Sequence, residues 1–223
     1  MKRHTWGLLI GSLLVILILA SCGASNPSTS QTSSTTNGQG HGGMGMATLK
    51  ATSTIGTSSD PMTDSLKGLS GKAFEVKFMQ EMIVHHQAAV DMARLVPTHT
   101  RRPELNTLAT NIITAQTKEI GQMTTWLGRW YKEKPLTDTM SVPGMMDMMS
   151  GMDKLKAAKG ADFDKQFNAL MIQHHQQGVN MANLIPSRTQ RPELTRLGQD
   201  IVRTQSAEIQ EMNNWQQAWF KVY

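Results

Sequence analysis

Phe78, Met82, Ile83, His86, Val90, Ala93 and Val96 recur at steps of three and four residues. That spacing lines one face of an α-helix with side chains that seek a core. Pro97 is read as the end of this helix, because proline has no N–H to donate and restricts the residue before it. Pro103 then suits the first turn of a second helix, where its missing N–H costs nothing; Glu104 beside it meets the positive end of the helix dipole. Leu105, Leu108, Ile112, Gln116, Glu119, Ile120, Met123 and Trp126 step along one face of that second helix, and Pro135 closes the unit. The stretch predicts a helical hairpin.

The hairpin is written twice. His174 stands 89 positions after His85, and the same offset carries Phe78 to Phe167 and Pro97 to Pro186. It carries the RPEL that begins at Arg102 to the RPEL that begins at Arg191. It also carries Gln116, Glu119, Ile120, Met123, Trp126 and Trp130 to Gln205, Glu208, Ile209, Met212, Trp215 and Trp219, with no gap between Phe78 and Tyr131. Such self-similarity means one supersecondary unit used twice. The repeats run over about 73–132 and 162–221. Two hairpins supply four apolar stripes, which bury one another best as an all-α four-helix bundle with a pseudo-twofold relation between its halves. Strand signals are absent.

Composition changes the picture at the N-terminus. Lys2 and Arg3 precede an apolar run, Gly7 to Ala20, that is short for a membrane span and ends in small residues, so residues 1–21 read as an export leader. Leu19 to Cys22 reads LASC, which resembles a bacterial lipobox, in which the cysteine becomes the lipidated first residue. Cys22 is the single cysteine, so no intrachain disulfide can form, and a lipidated thiol suits an oxidising compartment better than a free one. An uncleaved anchor is the other reading of the same segment. Either way the rest of the chain faces the periplasm or the cell exterior. Residues 22–60 are dominated by Ser, Thr, Gly, Asn and Gln and read as a tether, leaving 61–223 for the duplicated domain. The formal charge of +5 falls to +3 without Lys2 and Arg3, and no basic stripe interleaved with aromatics argues for nucleic acid.

Methionine is heavily used, 17 in 223 residues, and it accompanies histidine. Met82, His85, His86 and Met92 in the first repeat become Met171, His174, His175 and Met181 in the second. At about 100° per residue, Met82, His85 and His86 share one broad helical face, and Met92 lies two turns beyond His85. On the partner helices Glu119 with Met123, and Glu208 with Met212, are four apart on the face that must look inward. A bundle interior would gather imidazoles, thioethers and one carboxylate from each hairpin. Imidazole and thioether together suit copper, Cu(I) above Cu(II), better than hard cations. Each Glu either accepts an imidazole N–H or orients a liganding ring. His85 and His86 point about 100° apart, so one of each pair can ligate while the other packs or faces solvent. His99 has Arg188 as its counterpart and reads as a surface loop residue. Glu81 has Leu170 as its counterpart, so repeated acids are too few for a di-iron site of the Glu-x-x-His type.

Two further stretches carry soft donors. His41, Met44 and Met46 lie on a glycine-rich part of the tether, where they either wrap an ion or are ordinary linker. Between the hairpins, residues 140–152 hold Met140, Met145, Met146, Met148, Met149 and Met152, read as a flexible copper-collecting loop or as an apolar strap across the bundle.

The pattern FxxxMIxHHQxxVxMAxLxP followed by RPELxxLxxxIxxxQxxEIxxMxxW resembles the DUF305 family, over Phe78 to Trp130 and again over Met145 to Trp219. The resemblance implies a ferritin-like helical bundle, export, and copper binding, often in copper tolerance. It carries over as ligand candidates the two histidine pairs and Met82, Met92, Met123, Met171, Met181 and Met212. The expectation is a non-enzymatic, membrane-tethered protein that sequesters copper or exchanges it with a partner protein. The alternatives are a di-metal oxidase on the same scaffold and a metal-free structural bundle.

Overall fold

The computed structural model describes residues 60–221, which are helical without a strand among them. The leader, Cys22, and His41, Met44 and Met46 lie outside the described residues. Helix α1 (Pro61–Leu66) starts at Asp60, whose side chain accepts the Thr63 N–H. Four long helices follow the two predicted hairpins: α2 (Gly71–His99) and α3 (Pro103–Trp126), then α5 (Gly160–Ala182) and α7 (Pro192–Phe220). Two shorter ones, α4 (Met145–Ala157) and α6 (Ile185–Arg188), lie between them. Pro103 and Pro192 sit in the first turns of α3 and α7, as the sequence predicts.

Three local expectations are corrected. Pro97 does not end α2, which continues to His99 and closes with the Thr100 N–H on the Val96 carbonyl at 3.1 Å. One lost N–H so near a terminus removes a single bond, and the capping turn survives it. At the equivalent Pro186 the helix does break: α5 stops at Ala182, and α6 begins with the proline in its first turn. His99 is not a loop residue; it lies in the last turn of α2, where its ring nitrogens approach the carbonyls of Leu95 and Lys156 and the ring packs on Phe163. The methionine-rich stretch is not a loop either. Pro143 and Gly144 (φ 81°) precede α4, and from Met145 the methionines fall at helical steps that bury Met145 and Met152.

The repeats also end differently. After α3 the chain widens into a π-helical turn (Leu127–Tyr131) closed by left-handed Lys132, whereas α7 stays α-helical until left-handed Lys221.

α2 packs mainly on α3, and α5 on α7; α2 and α5 then cross. The core divides into two clusters on either side of that crossing. One holds Phe74, Phe78, Met82, Met123 and Leu127 of the first repeat with Met181 and Ile185 of the second. The other holds the matching Phe163, Phe167, Met171 and Met212 with Met92 and Val96. Each Phe or Met buried here contributes about 1.5–3 kcal/mol. Each cluster is thus built from both hairpins, and neither hairpin has a core of its own.

Two cross-repeat clasps fasten the arrangement. Arg191, the first residue of the second RPEL, reaches Glu75 of α2 at 2.6 Å and stacks 4.3 Å from the Trp130 ring. Arg102, its equivalent, reaches Asp164 of α5 at 2.8 Å and lies 3.9 Å from the Trp219 ring.

Candidate metal centre

The crossing of α2 and α5 is occupied by histidine. Helical register turns His85 and His174 toward each other, and their rings stack at 3.6 Å between centroids. Each ring donates through Nε2–H to the other residue's backbone carbonyl, at 3.0 Å and 2.8 Å. A carbonyl can only accept, so both rings carry the proton on Nε2 and present a bare Nδ1. Burial holds both imidazoles well below the usual histidine range, and neighbouring histidines lower them further. Both are neutral at physiological pH, the state in which imidazole ligates metal.

His86 and His175 turn outward from the crossing toward the second helix of their own hairpin. His86 donates Nε2–H to Glu119 and His175 donates to Glu208, each at 2.7 Å. Each carboxylate accepts an imidazole proton, the contact that both sequence alternatives for these acids require. Both are fully buried, so neither His86 nor His175 faces solvent.

The Nδ1 atoms of His85, His86, His174 and His175 are all buried without a hydrogen-bond partner. Buried polar atoms are nearly always paired, and leaving one unpaired costs roughly 1–3 kcal/mol. These four atoms, each with the opposite ring nitrogen already hydrogen-bonded, belong to a layer of rings whose centroids stand 6.0, 3.6 and 6.0 Å apart from His86 through His85 and His174 to His175. A ring whose Nε2–H is held by a carboxylate or carbonyl is also the usual form of a liganding histidine.

The methionines are divided rather than gathered. Met82 and Met123 share a cluster with Met181, and Met171 and Met212 share the other with Met92. Met92 therefore does not join the methionines of its own hairpin. α2 and α5 cross in opposite directions, so residues before and after the histidine on one helix fall into opposite cores. All six thioethers are buried, three on each side of the imidazole layer. In α4, Met145 belongs to the first cluster and Met152 to the second, Met148 packs partly on the first, and Met146 and Met149 are exposed, as is Met140 in the 3-10 turn (Thr139–Ser141) before the helix. Among the described residues no three His, Cys, Asp or Glu side chains form a metal cage.

Sequence reasoning missed the clasps and gave Gln116 and Gln205 no role. The signal for the clasps was the repeated Arg-Pro together with an acid at equivalent Glu75 and Asp164. Gln205 and Gln116 are buried with unpaired amide atoms. Gln205 fits beside the crossing because Gly178 has no Cβ: one placed there would stand 2.5 Å from Gln205 Oε1 and 3.1 Å from His85 Cε1. The equivalent residue in the first repeat is Ala89.

The family described as a domain of unknown function, DUF305, matches residues 75–216. The chain belongs to the DUF305 family. Among solved structures it is similar to CopM. In its Cu(II)-bound form CopM is 40% identical with a TM-score of 0.57, and the match covers 66% of this chain and 97% of CopM. The Cu(I)-bound form matches at 39% identity with a TM-score of 0.56, over 66% and 97% of the two chains. A DUF305 protein of Streptomyces coelicolor, assigned as secreted, is 32% identical over 60% of this chain and 86% of its own, with a TM-score of 0.53. An uncharacterised protein of Acanthamoeba polyphaga mimivirus is 41% identical over 51 residues, which span 23% of this chain and 34% of the viral protein. No helix among the described residues is long and apolar enough to cross a membrane.

Proposed function

We propose that this DUF305 protein is an exported, membrane-tethered copper-binding protein, anchored through lipidated Cys22, that sequesters Cu(I) or passes it to a partner protein. The observation that carries the reading is the layer of four buried imidazoles, each with an unpartnered Nδ1. Thioether-bearing cores flank that layer on both sides. Neutral imidazole and thioether favour a soft or borderline ion, and they work without a thiol in an oxidising compartment. Copper is cargo in this reading, and the protein is a binder with no catalytic residues. The bundle is taken as ferritin-like in outline, two duplicated hairpins around one duplicated donor set. A di-metal oxidase fits poorly, since Glu119 and Glu208 already accept imidazole protons. Binding of Cu(I) and Cu(II) by the similar CopM supports the same choice of ion.

The test is Cu(I) competition against a chromogenic chelator, reducing and anaerobic, with the Ala24–Tyr223 fragment. His85→Ala/His86→Ala and His174→Ala/His175→Ala are compared with it. Loss of all binding with either pair indicates one shared layer; stepwise loss indicates two sites. Binding no tighter than in a variant lacking all four histidines overturns the reading.

A further inference from the structure

The donor set is duplicated, but the way in is not. A cavity of about 550 Å³ lies beside α4, α5 and α7 and has His174 in its wall. Met92 and Met148 line it with that residue, and Asp60 and Asp147 line it too. No Lys or Arg borders it, in contrast to a second cavity of about 860 Å³ bordered by Arg101 and Arg102. The exposed Asp147 carboxylate, together with Asp60 held by Gln177 and Asn180, in a lining without cationic residues favours entry of a cation over an anion.

The equivalent face around His85 is closed. Ile83 and Val84 are buried there, whereas their mates Ile172 and Gln173 are half-buried and exposed. His85 is 0% exposed and His174 is 4% exposed. Glu81, where the second repeat has Leu170, is covered by α1 through Ser65 and paired with Lys77.

We propose that this cavity is the port through which a soft monovalent cation reaches and leaves the imidazole layer. Met148 and Met92 are its first thioether contacts, and the unpaired Nδ1 of His174 is its first nitrogen. The proposal rests on the copper reading and adds a direction to it: His174 loads before His85, although the two rings have the same partners. Met148 has no mate in the repeat, so the route belongs to the second half alone.

The experiment compares bulk at equivalent positions on the two faces. Asn213 lines the cavity, and its exposed mate Thr124 stands on the other hairpin. Full-chain protein in detergent is loaded with Cu(I), and release to a chromogenic Cu(I) chelator is followed by stopped flow, with uptake measured in reverse. Asn213→Trp and Met148→Leu are expected to slow both directions by about tenfold or more while affinity changes little; Thr124→Trp leaves the rates unaltered. Thermal melts confirm that each variant is folded. Equal rates in all four proteins, or equal slowing by both tryptophans, overturn the port while leaving copper binding intact. Absence of Cu(I) uptake by the unaltered protein sinks the copper reading and the port with it.

Discussion

On α2 the two residues before His85, Ile83 and Val84, are buried; on α5 the same positions before His174 are half-buried Ile172 and exposed Gln173, which line a cavity. The inner chemistry of the two faces is the same: a reciprocal carbonyl bond, a stacked ring, a second histidine on a glutamate. The difference lies in unequal residues at equivalent positions, Val84 against Gln173 and Glu81 against Leu170, and in α1 (Pro61–Leu66), whose counterpart 150–155 is only the C-terminal half of the longer α4. Duplication preserves what both halves need for the layer to close, and the positions where the two copies differ decide how each half meets solvent.

The clasps show the same contrast in miniature. Glu75 accepts from Arg191, Tyr131 and Thr189, whereas Asp164, one methylene shorter and with Phe220 at the position equivalent to Tyr131, holds Arg102 and leaves Oδ1 unpaired.

The largest effect expected from breaking the comparison is at the crossing itself. His85→Ala/His174→Ala should weaken Cu(I) binding by more than the roughly 10–100-fold typical of an outer-shell loss, and lower unfolding free energy by several kcal/mol through the cavity left behind. Chelator competition and urea melts read the two losses. Next come the clasps, measured by the same melts. Glu75→Ala should cost about 3 kcal/mol and Asp164→Ala about half that, because fewer partners are stranded in the second case. Equal costs would mean the extra bonds of Glu75 add nothing.

Stability against pH gives a third handle. In the metal-free protein His85 and His174 stay neutral while the unfolded chain protonates them below its pKa of about 6.5. The unfolded state then binds more protons, so stability is full above that pH and falls as pH drops below it, by up to about 2.7 kcal/mol per unit for two protons. A melting temperature flat from pH 7 to 5 would refute the neutral stacked pair. Closer to the site, Gly178→Ala should cost about 1–3 kcal/mol by crowding Gln205 and His85, against about 1 kcal/mol for Ala89→Gly, which only loosens a helix. The smallest contrast is between the two acids. Glu119→Gln and Glu208→Gln should each weaken Cu(I) binding about tenfold and to equal extents, since their geometries match.

Much of this arrangement was legible in the sequence. The three- and four-residue steps located the long helices, and the 89-residue offset paired their parts. The inward acids at Glu119 and Glu208 could be read as imidazole partners from their place on the second helix. What could not be read is which histidine meets which. The His85–His174 stack depends on where α2 crosses α5, and nothing local to either helix encodes a crossing point. The same limit hid the exchange of Met92 and Met181 between cores. Pro97 was misjudged because proline's cost depends on how many bonds lie beyond it, and only the Thr100 cap shows that few do. In residues 140–152 the Pro-Gly pair suggested a loop, but it precedes the helical run instead of interrupting it.

The reciprocal bond between His85 and His174 has the form of an isologous contact, in which a surface recognises its own copy. Each hairpin carries one half of that contact, half of each clasp and half of both cores. A chain of a single hairpin would therefore present a self-complementary face, and two such chains could rebuild the layer of four imidazoles as a symmetric homodimer. Fusing the halves into one polypeptide removes the dependence on protomer concentration. It also frees each half to change on its own, and the open face over His174 is where that freedom is visible.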